Sequence, residues 1–140
     1  MDEQTSDRQQ LLRRALRGNA LFSILSGVGI LVVNRTLAEF LGLPRDADLS
    51  ALGIGLLVYA GWLLWNARRE TIRIVEAWIA VILDILWVVG SYALVFAATL
   101  STGGKWIVGF VAEMVFLFGL MQWLGLRRIG RSRHAAWFHG

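Results

Sequence analysis

Two carboxylates stand inside long apolar runs of this chain, Asp84 within VILDILWVV and Glu113 within VAEMVF, and they are the residues with most to offer chemically. Removing an ionised carboxylate from water into hydrocarbon costs several kcal/mol, about 2–7 even for a neutral polar group left without a partner. Such a residue therefore needs a proton, hydrogen-bond donors or a cation. No Lys or Arg lies inside the runs to serve as that cation. Asp84 is expected to be protonated or hydrogen-bonded by Ser, Tyr or Gln, with Ser23, Ser26, Tyr59 and Ser91 as the polar groups nearest its depth. Intramembrane acids mark ion or proton paths, or hold helices together as neutral hydrogen-bonding groups.

Those carboxylates must be carried by elements that cross a bilayer. A span needs about 20 mostly apolar residues, and four runs qualify or nearly do: 19–34, 50–67, 75–99 and 106–126. The chain is 56% hydrophobic and 17% charged, well below the charge of a soluble domain (about 25%), so the fold class is all-α, a polytopic four-helix membrane bundle. Residues 1–18 read as an amphipathic N-terminal segment and residues 127–140 as a basic tail. A cleaved signal peptide is not expected, because the apolar run is long and no small-residue cleavage site follows it.

The loops fix an expected orientation. Arg8, Arg13, Arg14 and Arg17 precede the first span; Arg68, Arg69 and Arg73 lie between the second and third; Arg127, Arg128, Arg131 and Arg133 follow the fourth. The other two loops hold only Arg35, Arg45 and Lys105. Positive residues stay cytoplasmic, which places both termini inside. Between the first two spans, Leu37, Phe40 and Leu41 predict a short interfacial helix ending at Gly42, with Pro44 closing it. Asp48 or Ser50 should cap the second span. Gly103 and Gly104 should permit a sharp reversal before the fourth.

Spacing then predicts what meets what. Asn19, Ser23, Ser26 and Gly27 share a small, polar face suited to close helix approach. Asp84 shares a stripe with Ala80, Trp87 and Ser91. At about 1.5 Å per residue, Asp84 lies roughly 10 Å from the inner end of its span, level with Ser26 and Tyr59 and near Gln122. Glu113 lies about 10 Å from the outer end of the fourth span, so the two acids are stations about two turns apart. Glu113 and Gln122 are nine residues apart and point to opposite sides of one helix; one of them must face lipid, a groove or a second chain.

Many functions are excluded or unsupported. Cys is absent and both His lie in the last seven residues, so thiol chemistry is excluded, no metal or haem site is expected in the bundle, and no cofactor is expected. HExxH, GxSxG and phosphate-loop signatures are missing, and an enzyme is not expected. The net charge of +4 sits at span ends, the pattern of membrane topology rather than of nucleic-acid binding. The expected partners are membrane lipids, with either a homo-oligomer or a larger membrane complex around the bundle. Four short spans should leave little room for a bulky ligand within one copy, favouring protons, small cations or lipid head groups.

The runs RGNALFSILSG (Arg17 to Gly27), LAEFLGLP (Leu37 to Pro44) and DILWVVGS (Asp84 to Ser91) resemble small uncharacterised bacterial four-span membrane proteins. The resemblance implies the same architecture and a bacterial inner-membrane setting, and no activity. The chain is similar in size to the small multidrug resistance transporters and the dual-topology fluoride channels. It departs from both: the first span has no embedded Glu, the fluoride-channel glycine and arginine pattern is missing, and the arginine bias opposes dual topology.

Overall fold

The computed structural model describes residues 3–97 and 100–137, with the side chains of residues 3–6, 8, 97 and 131–137 outside the description. All its regular elements are helices: α1 (Glu3–Val32), α2 (Asn34–Leu41), α3 (Ser50–Arg68), α4 (Ile74–Ala97) and α5 (Thr102–Trp137). Four stretches are long and apolar enough to cross a membrane: Gln9–Val32, Ser50–Arg68, Ile74–Phe96 and Thr102–Gly130. The expected end of the third span, Thr99, and the last residues of the basic tail lie outside the described residues.

The first and fourth spans are longer than the apolar runs suggested. Residue 19 is not a helix start but the middle of α1, which runs unbroken from Glu3. Leu12, Ala15, Leu16, Asn19, Ala20, Ser23 and Gly27 are buried at spacings of three and four, a continuous stripe through the arginine-bearing segment. Arg14 and Arg17 are exposed on the other faces. The stripe was masked in the linear sequence because charged residues on one side of a helix interrupt the hydrophobic run of the other. The fourth span likewise begins at Thr102, four residues before Trp106, and its helix continues through the arginines at 127 and 128.

The two ends of the bundle differ. Starts of α1 and α4 and ends of α3 and α5 form an arginine-rich end, and its half of the bundle holds the core: Leu12, Leu16, Leu63, Ala67, Ile72, Ala77 and Leu126 pack together. Arg13 fastens this end by donating to the backbone carbonyls of Ala67, of Arg69 (2.8 Å) and of Glu70 (3.3 Å). Those oxygens are among the unpartnered carbonyls of the α3 C-terminus and the turn after it, where a guanidinium also complements the helix dipole. The turn is further tied by Glu76, within 3.3 Å of Arg69 and 3.6 Å of Arg73.

Toward the other end α1 still packs closely on α3. A Cβ added at Gly27 would lie 2.8 Å from the Gly53 carbonyl, and one at Gly53 3.0 Å from the Gly27 carbonyl, so backbone meets backbone there. Of the expected small, polar face on α1, Gly27 is the α3 contact. Gly55 and Gly61, on the same helix as Gly53, face open space instead. α4 packs on α5 and α5 on α1, whereas α3 and α4 make few contacts with each other. The small Ala77 and Ala80 let α4 approach in that half, and the bulky Trp87 follows where the helices part.

The α2 end is built as the loop chemistry indicated. α2 ends at Gly42, whose φ of 77° is left-handed and whose N–H, with that of Leu43, bonds back to Glu39 and Ala38 carbonyls. Asn34 Nδ2 donates to Asp48 (2.7 Å) and Ser50 (2.9 Å); neither Asp48 nor Ser50 is the cap expected of them, since the N-cap of α3 is Leu49 without a side-chain cap bond, and Asp48, one residue earlier, accepts the Ser50 N–H at 2.9 Å. The Ser50 hydroxyl, Asn34 and the Ser50 N–H together hold the Asp48 carboxyl down at about 2, from an ordinary 3.8. The reversal before α5 does not use Gly103 and Gly104 as a turn; both are helical. They are small because α2 rests on them, a Cβ at Gly104 lying 3.1 Å from Leu41 Cα and one at Gly103 2.6 Å from the Phe40 ring. Ser101 joins the two elements: its N–H donates to the Leu41 carbonyl, its hydroxyl to the Phe40 carbonyl, and its Oγ accepts the Gly104 N–H.

Candidate functional site

All four long helices send one polar side chain to the same point. Asp84 of α4 is 3% exposed. Asn19 of α1 donates through Nδ2 to both its oxygens, at 3.1 Å to Oδ1 and 2.9 Å to Oδ2. Tyr59 of α3 donates its hydroxyl to Oδ1 at 2.9 Å, and Gln122 of α5 donates Nε2 to Oδ2 at 3.0 Å. A carboxylate offers about four acceptor positions, and these four contacts use them. Each donor is neutral, so the carboxylate is held by dipoles rather than by a counter-ion.

Local sequence explains the convergence. Asn19 lies on the buried α1 stripe one turn after Leu16 and one before Ser23. On α4, Asp84 follows the buried Ala77, Ala80 and Val81 at helical spacing. Gly119 on α5 leaves room for it, a Cβ there lying 3.4 Å from that of Asp84. Tyr59 is stacked on Trp62, with ring centroids 6.0 Å apart, which steadies the ring that reaches across from α3. Its hydroxyl also lies 3.4 Å from the Ala80 carbonyl, so it is the strut that joins α3 to α4.

Two buried polar atoms beside the cluster have no hydrogen-bond partner among the described residues: Gln122 Oε1 and Trp87 Nε1. Gln122 is fully buried. Turning its amide by half a turn exchanges Nε2 for Oε1 at Asp84, so the same side chain can donate to a carboxylate or accept from a carboxylic acid. The cluster has the hydrogen-bonding means to hold Asp84 with or without a proton.

Beyond the cluster the parting of α3 and α4 opens a cleft. A cavity of 290 Å³ is lined by Asn19, Ser23, Ser26, Tyr59, Asp84 and Trp87, among others. A second, of 590 Å³, continues toward α2 and shares the walls Ser26, Leu52, Leu56, Trp87 and Val111 with the first. Leu37 and Leu41 of α2 stand over it, and Ser91 lies in its wall. Both spaces are open clefts rather than enclosed chambers: the main core fills the arginine-rich half, and the parting of α3 and α4 leaves the other half grooved.

The residues singled out from the sequence divide into three groups. Asp84, Tyr59, Ser23 and Ser26 meet in the inner cavity, and Ser91 lines only the outer one. Glu113 stands apart: it is exposed on the α4/α5 face, where the Tyr92 hydroxyl donates to it, and it lines neither cavity. Gln122, opposite to it on α5, is the residue that turns inward. Depth matching brought Ser26 level with Asp84, whereas Asn19, nearly two turns earlier, makes the contact; starting the first span at residue 19 shifted the whole register. The buried stripe beginning at Leu12 carried the signal that would have corrected it. No family model, curated protein or solved structure matches the chain.

Proposed function

We propose that this chain is a small integral membrane protein that binds or transports a proton, a small cation or a lipid head group at Asp84. The four apolar helices span the membrane, both termini lie on the cytoplasmic side of a bacterial inner membrane, and the arginine-rich end marks that side. The positive-inside bias of the sequence supports this orientation. The observation that carries the functional reading is the position of Asp84: a carboxyl group held only by neutral donors, in the wall of a cleft that opens between α3 and α4. A residue kept solely to hold helices together would not need a cavity beside it.

Asp84→Asn tests the reading, because it keeps the shape and removes the ionisable group. Reconstituted protein carrying it should remain helical and thermally stable yet lose ligand binding or flux. Unchanged binding and flux would end the proposal.

A second reading, an accessory or scaffold subunit of a larger membrane complex, is favoured by one observation: Glu113 and Tyr92 form a polar pair on an exposed face of otherwise apolar helices. Intramembrane acids normally face an interior, and a partner helix would supply one. Native mass spectrometry of gently extracted protein separates the two. A different protein held at fixed stoichiometry, released by Glu113→Gln, supports the subunit; a complex indifferent to that change removes it.

A further inference from the structure

We propose that the hollow between the start of α1 and the turn after α3 binds an anionic phospholipid, its phosphate on Arg14 and Arg17 and an acyl chain along the outer face of α1. The site lies at the arginine-rich end, apart from the Asp84 cluster. The inference rests on the reading that the four helices span a membrane and not on any role of Asp84.

The phosphate position follows from which cations are left free. Arg13 is committed to backbone carbonyls of the turn. Arg69 and Arg73 pair with Glu76, and Arg127 lies over the Trp123 ring at 4.6 Å. Arg14 and Arg17 are exposed and, among the described residues, have no hydrogen-bond or ion-pair partner. Both line a polar hollow of 470 Å³ with Gln9, Gln10, Arg13 and Glu70. Three guanidinium groups against one carboxylate give its wall a formal charge of +2, which selects a head group of net negative charge over a zwitterionic one. Two planar forks one turn apart suit the oxygens of a phosphate, which guanidinium groups bind through paired hydrogen bonds. Arg13, held by its carbonyl bonds, adds a fixed charge beside them.

That the phosphate belongs to a lipid follows from what lies beyond it on the helix. Arg14, Arg17, Leu21, Leu25 and Val28 recur at spacings of three and four on one exposed face of α1. Leu21 and Leu25 are 58% and 65% exposed. The face changes from cationic to aliphatic within one turn after Arg17, the order in which a phospholipid presents its phosphate and its chain. Eleven residues separate Arg17 from Val28. That is about 16 Å of helix, close to the half-thickness of a hydrocarbon core about 30 Å across. A free phosphate would gain nothing from the aliphatic half of this face.

Native mass spectrometry of the full-length protein, titrated with lipid in detergent, tests the site. Dioleoylphosphatidylglycerol should bind at least tenfold more tightly than dioleoylphosphatidylcholine. Arg14→Gln combined with Arg17→Gln should abolish that preference while leaving phosphatidylcholine binding as it was. Arg68 and Arg128 are exposed at the same end of the bundle but outside the hollow. Arg68→Gln combined with Arg128→Gln therefore removes the same charge and should leave the preference within about threefold of the parent. A loss of equal size in both pairs would reduce the effect to general surface charge and overturn the site. The deacylated head, glycerophosphoglycerol, should bind at least tenfold more weakly than the lipid. Equal affinity would assign the hollow to a soluble phosphate ester and overturn the lipid. If the protein resists alkaline extraction from vesicles yet shows no lipid preference, this inference alone falls; if alkali releases it, the membrane reading falls as well.

Discussion

Asn19 Nδ2 bridges both oxygens of Asp84, at 3.1 and 2.9 Å, and so joins the first long helix to the third across 65 positions of sequence. Both residues are buried, and with Tyr59 and Gln122 they form the polar centre of the bundle. Removing one partner leaves the other unsatisfied, which costs about 1–3 kcal/mol and more where a charge is left. Asn19→Ala should lower the unfolding free energy in detergent by that amount. Asn19→Ala combined with Asp84→Ala should cost less than the sum of the two single changes. Strict additivity in this double-mutant cycle would show that the bridge contributes no coupling.

The α1/α3 crossing gives a sharper contrast. Gly27→Ala must push against the Gly53 carbonyl at 2.8 Å, a backbone atom that cannot rotate away. Gly29→Ala two residues later meets open space. Overpacking costs about 1–3 kcal/mol, so the first variant should be destabilised by that much. The second should be unchanged or slightly more stable, since Ala favours helix over Gly by up to about 1 kcal/mol. Thermal unfolding followed by circular dichroism compares them directly, and equal midpoints would contradict the crossing.

Arg13 clamps the turn between α3 and α4 through three carbonyls. Arg13→Ala should cost about 1–2 kcal/mol, the range for charge-assisted hydrogen bonds at a helix C-terminus. Arg13→Lys keeps the charge and loses the planar fork that reaches several acceptors, so it should recover only part. Hydrogen exchange in residues 66–73 is the measurement; protection unchanged in Arg13→Ala would remove the clamp.

Acid should loosen the opposite end. The Asp48 carboxyl is held at about 2 against 3.8 unfolded, by the Ser50 hydroxyl, Asn34 and the Ser50 N–H. A lowered folded value means that its contribution is complete above 3.8 and is lost as pH falls through about 2. The Leu49 and Ser50 amides should therefore exchange faster as the pH drops through that window, after correction for intrinsic exchange. In Asp48→Asn the pH-dependent component should vanish. An identical acid response in the variant would assign it to another group.

Much of this architecture is legible in residue order, because each feature depends on local chemistry. The four apolar runs and the short α2 ending at Gly42 each follow from composition, spacing or turn chemistry within a few residues. The opposition of Glu113 and Gln122 on α5 also follows from helix geometry alone, and only Gln122 is buried. The sequence further determined that an acid would lie in an apolar setting without a neighbouring base. Which donors hold Asp84 was decided by tertiary register: the choice of Asn19 over Ser26 depends on where α1 begins relative to α4, and no local signal encodes that offset. The cleft has the same origin. Whether α3 and α4 close or part depends on summed packing across all four helices, with small Ala77 and Ala80 in one half and Trp87 in the other, and so it exists only once the chain is folded.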